Sequence, residues 1–206
     1  MQTLLQINSS LFSSNGQSTQ LANRFVDDWR RSHPHAKVVV RDLAIEPVPH
    51  LDAARFAAFI GKPEDRTEEQ LAVIAYSDRL IEELRAADVV VLALPMYNFG
   101  VPSTLKAYFD HVARAGVTFR YTEKGPVGLL TDKKVYVFAA RGGLYTGTPR
   151  DTQTPYVREF LGFLGMTDAE FVYAEGLAIS QAAKEQSLAE AQAHLERLTA
   201  AEPVTD

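Results

Sequence analysis

Three short stretches of this 206-residue chain combine residue types that could do chemistry. The first is Ser9-Ser10-Leu11-Phe12-Ser13-Ser14-Asn15-Gly16-Gln17-Ser18, which is rich in hydroxyls and leads into a helical pattern. A helix start offers unpaired N–H groups and a positive dipole, and Ser10 and Ser18 add donors, so the stretch suits a terminal phosphate. The same serines could instead simply cap the helix. Neither a Walker lysine nor Gly-x-Gly-x-x-Gly is present, so neither a nucleoside triphosphate nor a Rossmann dinucleotide is indicated. The second stretch, Pro95-Met96-Tyr97-Asn98-Phe99-Gly100-Val101-Pro102, puts two aromatics and a methionine straight after a buried strand. A flat aromatic ligand could stack there with Asn98 fixing its polar edge; the alternative is that Tyr97 and Phe99 pack back under the loop. The third is Ala139-Ala140-Arg141-Gly142-Gly143-Leu144-Tyr145. Its adjacent glycines permit close backbone approach to a ligand or positive φ, as an ordinary tight turn also requires.

Other chemistries find little footing. The chain has no cysteine, which removes disulfides, thiolate metal sites and a cysteine nucleophile. His33, His35, His50, His111 and His194 show no metal-ligand spacing with carboxylates, so no metal is expected. The pairs Asp27-Asp28 and Glu82-Glu83 sit on helical segments and read as solvated faces. A net charge of −5 without a basic block speaks against a nucleic-acid partner. No run approaches a membrane span, and the start lacks a basic segment followed by a long apolar one, so a cytoplasmic protein is expected.

The elements that must position these loops are legible as hydrophobic patterns. Thr3 to Asn8, Lys37 to Leu43, Asp88 to Leu94, Lys134 to Ala140 and Ala169 to Tyr173 read as five buried strands. Helical spacing relates Leu21, Phe25 and Trp29, and then Leu71, Ile74, Ile81 and Leu84 behind a Thr67–Gln70 capping box. Tyr156, Phe160, Phe163 and Leu164 mark another helix; Leu188, Ala191, Leu195 and Leu198 mark the last, before a polar tail to Asp206 that is expected to fray. Alternating strand and helix predict an α/β fold, a doubly wound five-stranded parallel sheet with helices on both faces, in one domain over 1–206. All three loops then fall at the carboxyl edge of the sheet, where such folds bind ligands. Connections 44–66 and 112–133 are longer than a crossover needs.

Ser10, Gly16-Gln17-Ser18, Met96-Tyr97-Asn98-Phe99 and Arg141-Gly142-Gly143 together resemble the bacterial FMN-dependent NADH:azoreductase and quinone reductase family. So do Ala113-Arg114-Ala115-Gly116-Val117-Thr118-Phe119-Arg120-Tyr121 and Phe160-Leu161-Gly162-Phe163-Leu164-Gly165. The resemblance implies a flavodoxin-like fold with bound FMN. Its phosphate would lie at Ser10, Gly16, Gln17 and Ser18, its ring along Met96 to Phe99, and its pyrimidine edge against Ala140, Arg141, Gly142 and Gly143. Ala140 stands where many relatives carry a hydroxyl residue, which leaves a backbone contact there. The resemblance further implies a homodimer whose pocket draws on both chains, with Phe119, Tyr121 and Phe163 around it. NADH or NADPH would reduce quinones or azo compounds by a ping-pong mechanism in which the flavin carries the chemistry and no side chain acts as catalyst. A flavodoxin-type electron carrier and a flavin reductase share the cofactor and are the competing readings.

Overall fold

A computed structural model describes residues 1–201; the tail expected to fray, 202–206, lies outside the described residues. The apolar runs become strands and the 3.6-period segments become helices. In chain order the elements are β1 (Thr3–Asn8), α1 (Gln17–Ser32), β2 (Lys37–Asp42), α2 (Ala53–Ile60), α3 (Glu68–Ala86), β3 (Val89–Pro95), α4 (Ser103–Val112), β4 (Phe119–Thr122), β5 (Gly125–Gly128), β6 (Lys134–Ala140), α5 (Gln153–Leu164), β7 (Asp168–Ala174) and α6 (Gln181–Ala201).

Five strands form one parallel sheet in the order β2-β1-β3-β6-β7. This is the flavodoxin-like order, whose direction reverses between β1 and β3. Every residue of β3 is buried, as expected of a central strand covered on both faces. Its alternation divides the core. Val89, Val91 and Ala93 pack with Phe25 and Trp29 of α1 and Leu195 of α6. Val90, Leu92 and Leu94 pack with Leu80 and Leu84 of α3, Tyr108 of α4 and Leu161 of α5. The capping box opens α3 as read, with Gln70 N–H donating to Thr67 Oγ1 at 3.3 Å and Thr67 N–H to Gln70 Oε1 at 3.1 Å.

Both long connections hold structure that the pattern did not predict. Within 44–66 lies α2, eight residues capped by Asp52, whose side chain accepts from Arg55 N–H. Within 112–133 lies the antiparallel hairpin β4–β5. It is rooted at the amino edge of the sheet, where Leu130 N–H donates to Leu164 O at 2.8 Å. A Cβ on Gly128 would stand 2.0 Å from Gly165 N, so the hairpin lies backbone-to-backbone against the end of α5. One carboxylate read as solvated is not: Glu83 is ion-paired with Arg41 of β2.

Candidate functional site: three loops at the switch point

The loop after β1 ends in a helix start with its donors unclaimed. α1 has no side-chain cap and no acidic residue in its first turn. Ser18 Oγ and Thr19 Oγ1 are buried there without a protein partner. Buried hydroxyls seldom stay unpaired, so this pair asks for an acceptor such as an anion oxygen. Gly16 closes the loop tightly: a Cβ would meet Ser10 Oγ at 2.1 Å. Ser10 is itself buried and accepts from Phe12 N–H at 3.2 Å. The capping reading of these serines therefore fails for Ser18, whose hydroxyl caps nothing.

Tyr97 joins this loop to the next. Its hydroxyl accepts from Leu11 N–H at 3.3 Å and lies 3.5 Å from Ser10 Oγ. Tyr97 and Gly100 exchange backbone hydrogen bonds of 3.2 and 3.0 Å, closing a two-residue turn around Asn98 and Phe99. Both central residues have positive φ, 49° and 65°. Such turns favour Asn-Gly; here Asn98 is suitable, but phenylalanine occupies the second place and the glycine follows one residue late. Holding a bulky residue there costs about 1–3 kcal/mol and persists only where the surroundings enforce it. Phe99 is exposed, meeting Tyr145 edge-on at 5.7 Å with Arg150 over its ring. It does not fold back under the loop; Met96 and Tyr97 are half-buried.

In the third loop neither Gly142 nor Gly143 has positive φ, so of the two uses read for the glycine pair only close backbone approach is left. The carbonyls of Arg141, Gly142 and Gly143 accept from Leu177, Ala178 and Gly176, which leaves the N–H groups of the two glycines open among the described residues. The Arg141 side chain turns away from the surface and is fully buried. It pairs with Asp151 at 3.1 Å and Glu175 at 3.0 Å, and donates to Gln153 Oε1 at 3.2 Å and Thr154 Oγ1 at 2.8 Å. Burial pushes the Asp151 carboxyl up, but hydrogen bonds from Thr154 and the guanidinium of Arg141 outweigh it and hold the group below the usual carboxylate range. Glu175 also accepts from the N–H groups of Tyr145 and Thr146 at 3.0 Å each, so one carboxylate shapes the loop tip.

The aromatic trio sits elsewhere. Phe119 is only 7% exposed and packs into the core, with Phe163 4.3 Å and Tyr121 5.5 Å from its ring. Phe163 is half-buried, and Tyr121 stands 74% exposed on the hairpin. Phe163 closes the last turn of α5, about 15 Å along that helix from Gln153 beside the loops. The three do not join the loops within one chain. Sequence reading overlooked Gln153, Glu175 and Asp151, and gave Tyr145, which it placed in the third loop, no role of its own. A buried arginine needs carboxylate partners, which was the available signal for two of them.

Fold order, the switch-point loops and the unpaired buried hydroxyls define a flavodoxin-like protein, and residues 2–198 match the family model described as flavodoxin-like fold. Over 201 residues, 98% of this chain and 100% of the relative, the sequence is 59% identical to an FMN-dependent NADH:quinone oxidoreductase of Cellvibrio japonicus (strain Ueda107). The structure superposes on an azoreductase from Bacillus anthracis str. Sterne with TM-score 0.89 and 30% identity, covering 97% of this chain and 99% of the other. It is also similar to an FMN-dependent NADH-azoreductase from Bacillus anthracis str. Ames Ancestor, solved in complex with FMN (TM-score 0.85, 26% identity, 97% and 100% covered). The chain belongs to the FMN-dependent NADH:quinone oxidoreductase and azoreductase family.

Proposed function

We propose that this protein is an FMN-dependent NAD(P)H oxidoreductase for quinones and azo compounds, acting as a homodimer in the cytoplasm, where reduced nicotinamide nucleotides are available. The observation that carries the reading is the pair of unpartnered buried hydroxyls, Ser18 and Thr19, at the uncapped start of α1 beside the switch point. FMN fits these residues. Ser10, Gly16, Gln17 and Ser18 would hold its phosphate, with the Cβ-free face of Gly16 permitting the tight turn. Met96, Tyr97, Asn98 and Phe99 would lie along the ring, and Ala140, Arg141, Gly142 and Gly143 would meet its pyrimidine edge. In that last group Arg141 works through its backbone, since its guanidinium is committed to Asp151 and Glu175. Open N–H groups at Gly142 and Gly143 offer donors to ring carbonyls.

When bound, FMN would supply the redox chemistry, a hydride-equivalent relay between NAD(P)H and the acceptor. The chain binds and orients, and nothing in its site calls for a side-chain nucleophile. Phe99 and Tyr145, in edge-on contact, bridge the second and third loops and offer aromatic surface on which a flat ligand could pack. A homodimer is supported by separation: Phe163 at the far end of α5, and Tyr121 on the β4–β5 hairpin rooted against that end, lie too far away to cover their own chain's loops, whereas a two-fold partner can deliver them. Exposed Leu11, Phe12, Leu144 and Ile179 at the carboxyl edge supply apolar surface for such a contact.

The test is steady-state oxidation of NADH by purified, FMN-loaded protein at varied quinone. Parallel double-reciprocal lines are expected. A protein that holds flavin but oxidises no NADH is an electron carrier, and one that loses FMN on gel filtration while reducing added flavin is a flavin reductase.

A further inference from the structure

The left-handed Asn98–Phe99 turn must be held by something, and the structure supplies the holder from beneath. Thr152 Oγ1 hydrogen-bonds Phe99 O. Gln153, buried at the first residue of α5, donates from Nε2 to Pro95 O at 2.9 Å and to Gly100 O at 3.1 Å, bracketing the turn on both sides. Its Oε1 accepts from Nε of Arg141 at 3.2 Å. A primary amide offers two N–H donors and a carbonyl acceptor, and Gln153 uses both kinds at once. A carboxylate could accept from Arg141 but could not donate to the two carbonyls, and Met would fill the space without doing either.

Arg141 in turn grips Glu175, which holds the Tyr145 and Thr146 amides. One chain of hydrogen bonds, buried at Gln153 and Arg141 and opening towards solvent at the tip, thus runs from the second loop, through Gln153 and Arg141, to the tip of the third. We propose that Gln153 is a positioning residue that locks the strained Asn98–Phe99 turn to the Arg141 loop and so fixes the spacing of the two walls between which the flat ring binds. The proposal rests on reading those walls as a flavin cradle. A buried network of this kind is stiff only while every member is satisfied. Loss of the amide would let the turn relax out of its left-handed conformation, and FMN would then meet a binding-competent population reduced to a fraction.

Two measurements on the full chain separate the lock from its consequence. Amide hydrogen exchange on flavin-free protein reads the lock: Gly100 N–H, bonded to Tyr97 O at 3.0 Å, should lose about ten-fold or more of its protection in both Gln153→Met and Gln153→Glu. Gln153→Met should also loosen the Tyr145 and Thr146 amides, whereas Gln153→Glu, which keeps the Arg141 link, should spare them. FMN titration reads the consequence, with Kd rising about ten-fold in both variants. Val157→Ala, a core truncation in the same helix, should lower Tm while leaving the relative Gly100 protection and the FMN Kd within about two-fold. Wild-type exchange at Gly100 in the Gln153 variants would overturn the lock. Faster exchange with an unchanged FMN Kd would overturn the positioning role. Failure of the wild type to bind FMN would instead remove the flavin reading, with the exchange result still deciding the lock.

Discussion

Ser18 Oγ is buried with no protein partner at the start of α1, and that single atom makes opposite demands on the free and the bound protein. An unpaired buried hydroxyl costs free energy, so Ser18→Ala should leave the Tm of flavin-free protein unchanged or raised. The same substitution removes a donor from the phosphate, so FMN Kd should rise about ten-fold, on the order of 1.4 kcal/mol. Calorimetry of the apoprotein beside a fluorescence titration checks both signs, and a parallel loss of stability and affinity would assign Ser18 to the core alone. At this scale the sequence was informative where residue type is restrictive. Gly16 and the serines announced a tight polar turn before a helix. The Gln153–Arg141–Glu175 chain was hidden, because Gln and Glu are ordinary residues and these two lie 12 and 34 positions from Arg141. A glycine one place late in Tyr-Asn-Phe-Gly was the visible trace of a constraint imposed from elsewhere in the fold.

The sheet strands were readable from their apolar runs, so boundaries moved by no more than a residue, as at β3 and β7. Burial on both faces holds only for the central strands: β2, expected to be buried, is an edge strand with no fully buried residue and with Val40 exposed. The hairpin β4–β5 escaped because it stands outside the sheet and its side chains are mostly exposed, so no alternation marks it. Helix α2 escaped because Ala53–Ile60 is almost uniformly apolar and is hemmed in by prolines. That helix contributes to a packing arrangement with a pH signature. His111 of α4 is buried, its Nδ1 2.9 Å from Ala107 O, with the rings of Phe59 from α2 and Tyr76 from α3 edge-on to it. Arg55, Asp52 and Asp110 are the charged groups that act on it. Burial is the largest influence and lowers its pKa, so the folded state keeps the ring neutral after the unfolded chain has begun to bind a proton. Stability present above the ordinary histidine value of about 6.5 is therefore lost as pH falls below it, towards the lower folded value. His111→Gln, which can still donate to Ala107 O, should flatten that decline. Thermal unfolding between pH 7.5 and 5.5 measures it, and equal slopes in the two proteins would contradict the assignment.

For the whole molecule, the proposed flavin site lies at the carboxyl edge of the sheet, while Tyr121 and Phe163, proposed to cover the partner's site, stand at the amino edge. This arrangement predicts complementation. Ser18→Asp places a carboxylate where the phosphate would lie, satisfying the helix start and excluding FMN. A Tyr121→Ala/Phe163→Ala double variant keeps its flavin loops but brings no aromatic cover to the partner's site. Each alone should be poorly active with bulky acceptors, and co-expressed chains purified as a heterodimer should recover turnover through one intact shared site; a mixture no better than its parts would end the shared-site model. The most direct measurement of the central claim is an anaerobic titration of the purified protein. One NADH per chain should bleach the bound flavin's visible absorbance without any acceptor present. A stoichiometric para-quinone added afterwards should restore it in full. Flavin that bleaches only when NADH and quinone are present together, or protein purified under flavin-replete conditions that carries none, would contradict an FMN-dependent ping-pong oxidoreductase.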